Sequence, residues 1–485
     1  MTEFHGPGGP LPHVPDDVTL VQFMLDSDHP SRPVRRVLQG NPWMIEDATG
    51  RQIGYGEVRL RTHGLANAMS SRWGIVCIFG PNHVDYPIAV WSIHRLGATA
   101  TCANPAYTAG ELHCNAAAKA VGLPLERIVL FDPLENSTSS YTHILQAEGK
   151  MGSPRCVWMI DMLLERQAVC IAHYAPIANV IQMAHLANQQ PGPWEIVMLP
   201  FYRKHLRLVV IMHFMMFYGA SLVVVPKFNF LDFMASSRGS SPLIPPSGPA
   251  DTNADRVVPP MVVLLCKHPA VKNYDLSSIH AIMSGAAPLS PELTNQLSKI
   301  LPQVSVGQGY GMTETSTTIS FPQIEQKICT PGSGGRLVPG VIARVPGHLI
   351  VKGPANALRY LNNEQATNET FVDGWVHTGD EVMINEEMEV FIVDRIKELI
   401  KVRGFQVAPA ELEGHILDHP DVADVCVVGL PDDYSGELPL AFAGVEFVDV
   451  IPKNPSGKLL RRVLRDRATE LKKQGRLSRP PKSRM

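Results

Sequence analysis

The sequence predicts an α/β protein with a large N-terminal domain of parallel-rich sheets flanked by helices and a small α+β C-terminal domain. Its 485 residues exceed what one hydrophobic core usually holds, so at least two domains are expected. Short apolar runs alternate with helical stretches, which is typical of parallel strands joined by helices. The alternation restarts after residue 394, where we place the domain boundary.

The elements are expected in the following order. Residues 1–18, rich in Gly, Pro and His, form a flexible lead-in to the N-terminal domain of residues 19–394. Within that domain, residues 236–256 are rich in Pro, Ser and Gly, which predicts a loop or disorder. Apolar periodicity predicts strands at 76–80, 127–131, 195–199 and 222–225 and a helix at 86–96, followed in residues 395–485 by strands at 398–402 and 424–429 and a helix at 410–418.

The composition narrows the class of protein. A hydrophobic content of 45% and a charged content of 18% are typical of a soluble globular chain. The formal charge of −3 gives no reason to expect a nucleic-acid partner. Eight cysteines are scattered without a Cys-x-x-Cys pair, which favours reduced thiols in an intracellular compartment over a structural zinc site. The N-terminus has no secretory signal pattern.

Residues 208–225 form an apolar run of a length that could cross a membrane. His213 lies within this run and Gly219 interrupts it, after which residues 222–225 are β-branched and strand-like. A buried helix followed by a buried strand explains the run better. We therefore expect no membrane span.

The most informative motif is Gln-Gly-Tyr-Gly-Met-Thr-Glu at residues 308–314. Its two glycines allow the backbone to approach a ligand closely. Tyr310 offers a flat face, Thr313 a hydroxyl for a phosphate oxygen, and Glu314 a hard oxygen ligand for Mg²⁺. The motif indicates a nucleotide site, and an ordinary tight turn is the alternative interpretation.

Four further segments carry candidate chemistry, each with a simpler structural alternative. The small residues 284–288 leave room for a flat ring, or form a plain strand-to-helix turn. Asp380 ends the segment 375–380, where a carboxylate could accept hydrogen bonds from ribose hydroxyls or cap a turn. The basic run 393–404 could contact a ligand or form a solvated face. Lys458 lies in the proline-stiffened segment 452–459, from which it could deliver a mobile positive charge to a phosphate.

The order of these motifs resembles that of the adenylate-forming acyl-CoA synthetase superfamily, the AMP-binding enzymes, and most closely the fungal 4-coumarate–CoA ligase-like group. The resemblance extends from about Pro10 to Arg465 and includes residues 104–112. It implies a two-step reaction in which ATP and a carboxylic acid form acyl-AMP and pyrophosphate, and the CoA thiol then displaces AMP. It also implies Mg²⁺, an aromatic or medium-chain acid as substrate, and a small C-terminal domain that swings between the two steps.

The resemblance assigns roles in the large domain. Ala286, Gln308 and Gly309 would line the adenine and acyl-adenylate site, with the ring of Tyr310 beside them. Thr313 would meet the α-phosphate as a catalytic residue.

Metal and ribose contacts follow from the same resemblance. Glu314 would hold Mg²⁺, and Asp380 would bind the ribose hydroxyls together with Arg395. Lys397 and Lys401 would lie at the hinge, near residues 395–397, and at the adenylate.

The resemblance also assigns the C-terminal domain a residue for each half-reaction. Lys458 would assist adenylation by offering positive charge to the departing pyrophosphate. Arg403 and Gly404 would border the CoA channel for the second step. Arg403 replaces a residue that is often lysine at this position.

The sequence departs from the family pattern in several places. A loop rich in Gly, Ser and Thr should grip the phosphates before residue 169, but residues 161–168 read Asp-Met-Leu-Leu-Glu-Arg-Gln-Ala. Residues 203–207 intrude near the acyl pocket, the stretch 236–256 replaces a helix and a strand, and residues 441–446 omit an intervening helix. A misassembled gene model, a splice form or a decaying gene copy would produce this pattern.

Three functional hypotheses follow. The first is an ATP-dependent acid–CoA ligase. The second is a catalytically impaired homologue that binds nucleotide without turnover, because losing the backbone donors for phosphate should lower the rate severely. The third, an adenylation unit that feeds a carrier protein, is disfavoured because no carrier domain follows the tail.

The chain ends in Ser483-Arg484-Met485, which resembles the Ser-Lys-Leu peroxisomal address. A peroxisomal import receptor is therefore an expected partner and the peroxisome the expected location. The cytoplasm is the alternative, because a short basic ending also arises by chance.

Overall fold

The computed structural model describes most of the chain. The described residues are 2–32, 42–47, 49–69, 75–79, 82–103, 129–130, 142–143, 168–186, 195–198, 212–225, 229–236, 253–257, 259–277, 279–285, 289–322, 329–417, 419, 421–422, 424–432, 434–440, 448, 451–452 and 459–474.

The described strands are β1 Phe4–His5, β2 Pro42–Glu46, β3 Gln52–Gly54, β4 Ile75–Phe79, β5 Thr99–Ala103, β6 Val129–Leu130, β7 Thr142–His143, β8 Val169–Cys170, β9 Glu195–Met198, β10 Ser221–Val224, β11 Asn253–Val257, β12 Ile279–Ser284, β13 Ser305–Gln308, β14 Ser320–Phe321, β15 Ser333–Leu337, β16 Ile342–Arg344, β17 Ile350–Lys352, β18 Arg359–Tyr360, β19 Phe371–Val372, β20 Trp375–His377, β21 Asp380–Ile384, β22 Glu389–Arg395, β23 Ile400–Val402, β24 Phe405–Val407, β25 Gly429–Asp432 and β26 Gly436–Pro439.

The described α-helices are α1 Leu20–Leu25, α2 Tyr55–Met69, α3 Tyr86–Arg95, α4 Tyr174–Leu186, α5 Met215–Phe217, α6 Phe230–Ser236, α7 Pro259–Lys267, α8 Pro291–Ile300, α9 Glu364–Thr370, α10 Pro409–Leu417 and α11 Arg461–Lys473. The described residues also include short 3₁₀ turns at Pro269–Asn273 and Thr313–Thr315.

The large domain is organised around a seven-stranded sheet in the order β13-β12-β11-β9-β10-β2-β3. All neighbours in this sheet are parallel except β2 and β3, which form an antiparallel edge pair. All four residues of β10 are buried, as expected for a strand covered on both faces. Helix α8 begins after Ser290, whose side chain caps it by accepting from the Leu293 amide.

Antiparallel sheets complete the large domain and form the small one. Strands β1-β16-β17-β20-β19 and β14-β15-β22-β21 form two further sheets of the large domain. Beyond residue 395, strands β24-β23-β26-β25 form the four-stranded sheet of the small domain. Helix α11 packs on this sheet, where Val428, Leu430 and Ala468 are buried together.

The structure corrects three expectations. The prediction that the lead-in is flexible is wrong, because Phe4–His5 pairs with β16 and the Gly6 amide donates to the Val341 carbonyl. Part of the stretch 236–256 is a strand, since Asn253–Val257 pairs in parallel with β12. The strand expected at 424–429 is displaced and lies at Gly429–Asp432. The short lead-in strand forms because a distant partner strand satisfies its backbone.

Other expectations are confirmed. Strands β4, β6, β9, β10 and β23 lie within a residue or two of the predicted positions, as do helices α3 and α10. The apolar run at 208–225 contains helix Met215–Phe217 followed by strand Ser221–Val224 in its described part. Among the described residues, no helix has the length and apolarity needed to cross a membrane.

Candidate nucleotide site

Two adjacent parallel strands deliver the central motifs to the same edge of the sheet. Strand β12 ends at Ser284 and β13 ends at Gln308, and these two residues lie side by side in the ladder. The Gly309 amide donates to the Ser284 carbonyl at 3.0 Å, which ties the start of one motif to the other. Ligands of parallel α/β sheets bind outside the carboxyl ends of the strands, so this edge is the expected place for a site.

The turn after β13 is tightly folded. A Cβ on Gly311 would lie 1.5 Å from the Thr317 carbonyl oxygen, so this position requires glycine. Tyr310 is held by backbone bonds with Ser320 on the returning chain. Ser316 and Thr317 have φ values of 47° and 117°, which is unusual for two consecutive non-glycine residues. Such backbone strain is most often found at functional sites.

Several buried hydroxyls around this turn have no hydrogen-bond partner in the described part of the chain. They belong to Ser284, Ser316, Thr317 and Thr318, all of which are at least nine-tenths buried. Buried polar atoms are normally paired, so unpaired hydroxyls indicate partners that come from water or a ligand.

Tyr310 connects the turn to Asp380. The Tyr310 hydroxyl donates to Asp380 Oδ2 at 2.6 Å, and Arg395 Nε lies 3.3 Å from Asp380 Oδ1. Strands β21 and β22 set this geometry, because their register places Asp380 opposite Arg395. Burial, and then the negative charge of Asp380, raise the pKa of Tyr310 well above its ordinary value. The phenol therefore remains a donor at all physiological pH values.

Glu314 extends from the other end of the turn towards a second tyrosine. Its Oε1 accepts from the Tyr360 hydroxyl at 2.7 Å, and its carbonyl accepts from the Ala357 amide at 2.8 Å. Burial, followed by the contact with Glu314, raises the pKa of Tyr360. The carboxylate is thus oriented by a donor that stays protonated.

The donor set around Glu314 fits a Mg²⁺ ion bound together with a nucleotide. In the described residues, no group of three or more His, Cys, Asp or Glu side chains could hold a metal by itself. Protein Mg²⁺ sites commonly use one or two carboxylates, with substrate phosphates and water completing the shell. Glu314, half-buried and held by Tyr360, is suited to be that single carboxylate.

The remaining predicted residues lie in the small domain. Lys397 and Lys401 line a cavity of about 380 Å³ together with Glu398, Glu437 and Arg465. The structure therefore places these two lysines around one cavity of the small domain.

Arg403 and Gly404 form the two-residue turn between β23 and β24. Their φ values are 51° and 85°, as a tight hairpin turn of this kind requires. The Arg403 guanidinium lies over the Tyr434 ring at 4.5 Å from its centroid. Both Arg403 and Gly404 are exposed, so this turn can contact a partner or ligand.

Several predicted features lie outside the described residues. These are Ala286, Lys458, residues 161–167 of the expected phosphate loop, the segments 203–207 and 441–446, and the tail 483–485. The roles given to the individual site residues remain predictions.

Sequence reasoning missed Tyr360. It lies 46 positions from Glu314, outside every motif that the sequence analysis recognised. No local pattern indicates this contact, because it depends on how strand β18 is placed relative to the turn.

Two regions of the chain match known families. Residues 165–361 match the family described as AMP-binding enzyme, and residues 411–444 match the AMP-binding enzyme C-terminal domain. The chain is 31% identical to 4-coumarate-CoA ligase 1 of Narcissus pseudonarcissus, covering 94% of this chain and 94% of the relative. The chain belongs to the AMP-binding enzyme family. A second relative, 4-coumarate--CoA ligase 2 of Oryza sativa subsp. japonica, is 31% identical over 93% of this chain and 95% of its own length.

Solved structures of AMP-binding enzymes share the fold. ATP-bound MatB from Rhodopseudomonas palustris superposes with a TM-score of 0.72 at 21% identity, covering 93% of this chain and 99% of that one. The anthranilate CoA ligase AuaEII with anthranoyl-AMP gives 0.73 at 16% identity, with 94% and 98% covered. The architecture is that of adenylate-forming enzymes, with a large N-terminal and a small C-terminal domain.

The match to the Narcissus relative is counted over 539 residues, which exceeds the 485 residues of this chain. The alignment therefore contains positions at which the relative has residues and this chain has none.

Proposed function

We propose that this chain is an acid–thiol ligase that activates a carboxylic acid with ATP and transfers the acyl group to CoA. The observation that carries the proposal is the linked set of Tyr310, Asp380 and Arg395, which shares one turn with Glu314. A carboxylate and a cation suited to ribose thus lie on the same structural unit as a carboxylate suited to Mg²⁺.

The first half-reaction forms a mixed anhydride. A carboxylate is a poor electrophile, so one of its oxygens attacks the α-phosphorus of ATP and the bond to pyrophosphate breaks. Asp380 accepts hydrogen bonds from the ribose hydroxyls, and Thr313 donates its hydroxyl to the α-phosphate. Lys458 offers positive charge to the departing pyrophosphate. Mg²⁺ held by Glu314 would neutralise phosphate charge.

The second half-reaction forms the thioester. The CoA sulfur attacks the acyl carbon, the carbon–oxygen bond to AMP breaks, and the thiol proton leaves to solvent. Arg403 and Gly404, on an exposed turn of the small domain, would border the incoming CoA once that domain has moved. The names of the two plant relatives support an aromatic acid as the substrate, and a medium-chain acid is the other candidate.

A second candidate is an impaired homologue that binds nucleotide without turnover. It is favoured by residues 161–168, which contain no Gly, Ser or Thr and two acidic side chains where phosphate should be held. Removing even one donor aimed at developing charge lowers a rate by about 10²–10³.

One assay separates the two candidates. Purified protein is incubated with ATP, Mg²⁺, CoA and a panel of aromatic and medium-chain acids while AMP release is followed. AMP formation that requires both the acid and CoA supports the ligase. Nucleotide binding without AMP formation supports the impaired homologue.

A variant tests the role given to Lys458. Lys458→Ala should suppress adenylation far more than thioester formation from supplied acyl-AMP, because its charge is used only while pyrophosphate departs. Separate measurements of pyrophosphate release and of thioester formation give the two rates. Equal loss in both half-reactions would contradict the assigned role.

A further inference from the structure

Lys267, the last residue of helix α7 in the large domain, contacts the small domain through its ammonium group. Its Nζ donates to the carbonyl oxygens of Leu417 and Val422 at 2.8 and 2.7 Å, and to that of His419 at 3.4 Å. All three acceptors lie at or just beyond the C-terminal end of helix α10. One side chain therefore crosses between the domains and binds three backbone groups.

The chemistry of the helix end explains why a lysine binds there. The last carbonyls of an α-helix have no partner within the helix, and they carry the negative end of its dipole. An ammonium group has three donors and no acceptor, so it can satisfy several such carbonyls at once. Hydrogen bonds to a charged group are stronger than those between neutral groups.

The surface around Lys267 is closely packed. Gly414 on α10 faces Ser290 and Glu292 of the large domain, and a Cβ built on it would lie 3.3 Å from the Ser290 Cβ. Leu417 packs against the hydrophobic cluster that includes Leu265 and Leu293. The Lys267 contact is thus one part of an interface between α10 and helices α7 and α8.

We propose that Lys267 is a positioning residue that latches the small domain onto the large one in the arrangement seen here. The inference rests on the proposed function, in which the small domain moves between the two half-reactions. The latch must open for that motion, because the carbonyls it binds all follow the hinge at residues 395–397. Its strength then sets how much of the protein occupies this arrangement.

The latch can be tested without turnover. Bio-orthogonal amino acids at the exposed positions Leu60 and Val463 carry a fluorophore pair, and single-molecule energy transfer reports the interdomain distance in the ligand-free protein. Lys267→Met keeps the aliphatic stem but removes the donors. It should lower the ratio of latched to unlatched molecules about 10- to 100-fold, the amount expected for hydrogen bonds to one charged group. Lys272→Met, at an exposed lysine five residues away, is the matched control and should leave the ratio unchanged.

Two further variants at position 267 complete the test. Lys267→Arg retains charge and donors and should preserve most of the latched population. If Lys267→Met does not fold, Lys267→Gln decides instead, because it keeps a polar side chain but lacks the positive charge and the reach of the ammonium group, and it should also lower the latched population. An unchanged distance distribution in a folded Lys267→Met or Lys267→Gln protein overturns the proposal. Failure to activate any acid would count against the ligase function alone.

Discussion

Tyr310 joins the turn after β13 to a buried carboxylate that lies 70 residues further along the chain. The hydroxyl donates to Asp380, and only 5% of the Asp380 surface is exposed. A buried charge that loses a donor is expensive, because water cannot replace the missing bond. Tyr310 therefore contributes to stability as well as to the shape of the site.

Replacing Tyr310 by Phe removes this hydroxyl and little else. We expect Tyr310→Phe to lower the free energy of unfolding by about 1.5–3 kcal/mol, the range for a hydrogen bond to a charged group. Urea denaturation of the ligand-free protein measures the change. Tyr434→Phe is the matched control, since Tyr434 is 80% exposed, and it should change stability by less than about 0.5 kcal/mol. Equal effects of the two variants would argue against the buried contact.

His94 lies among aromatic and imidazole rings of the large domain. It meets the His173 ring edge-on at a centroid distance of 5.0 Å, and its Nδ1 has no hydrogen-bond partner in the described residues. Burial, then the charges of His173 and His213, lower the pKa of His94 to about 3. The native protein therefore holds this imidazole neutral well into the acidic range.

This depressed pKa makes stability depend on pH. Below about pH 6.5 the unfolded chain takes up a proton at His94 that the native state does not, so stability falls as the pH falls towards 3. The loss is up to about 1.4 kcal/mol per pH unit. We expect His94→Asn to show a shallower decline between pH 6.5 and 5 in urea titrations. The exposed His415→Asn variant should keep the wild-type slope, and the same slope in both variants would contradict the assignment.

At the scale of elements, strands and helices with strong apolar periodicity could be predicted. Helix α3 and strands β4 and β10 are apolar runs bounded by turn residues, so local pattern is enough to find them. Strand β1 could not be predicted, because two residues carry no periodicity and their partner lies near residue 342. The strand expected at 424–429 is displaced because apolar residues there pack into the core without joining the sheet ladder.

The candidate site also has contacts that could be predicted from the sequence and contacts that could not. Gln308 and Ser284 come together because parallel strands end at one edge, which the order of the elements implies. The contact of Glu314 with Tyr360 could not be predicted, since it depends on tertiary placement. Motif order thus predicts which residues belong to the candidate site, while the hydrogen-bond partners of those residues follow only from the fold.

Arg461 joins three segments of the small domain. It forms a two-point contact with Glu413 on α10, donates to Glu398 at 3.0 Å, and donates to the Val427 carbonyl at 2.9 Å. Its side chain is only 14% exposed. Burial raises the pKa of Glu413 even though Arg461 opposes that effect. The carboxylate thus depends on its partner to remain charged.

Removing Arg461 should destabilise the small domain. Arg461→Met leaves Glu413 and Glu398 without their cation, and breaking a buried pair from one side costs about 3–5 kcal/mol. The neighbouring Arg462→Met variant is the matched control, because Arg462 is 93% exposed on the same helix. Denaturant unfolding and limited proteolysis of the small domain compare the two. If Arg462→Met proves as damaging as Arg461→Met, the buried network is not what holds these segments together.

Two features concern the whole molecule: the domain boundary predicted near residue 395, and the contact between the large and small domains. The sequence predicts the boundary near residue 395 because the strand–helix alternation restarts there. The docking of α10 against α8 could not, since it joins Gly414 and Ser290 across more than a hundred residues.

The C-terminal tripeptide bears on where the protein resides in the cell. We propose that Ser483-Arg484-Met485 directs the chain to peroxisomes, because import receptors read a short C-terminal sequence of this type. With a fluorescent protein fused to the N-terminus, deletion of these three residues should move the signal from peroxisomes to the cytosol. Met485→Leu brings the tail closer to Ser-Lys-Leu and should keep or strengthen import. A distribution that is the same with and without the tail would remove the peroxisomal assignment and leave the ligase proposal untouched.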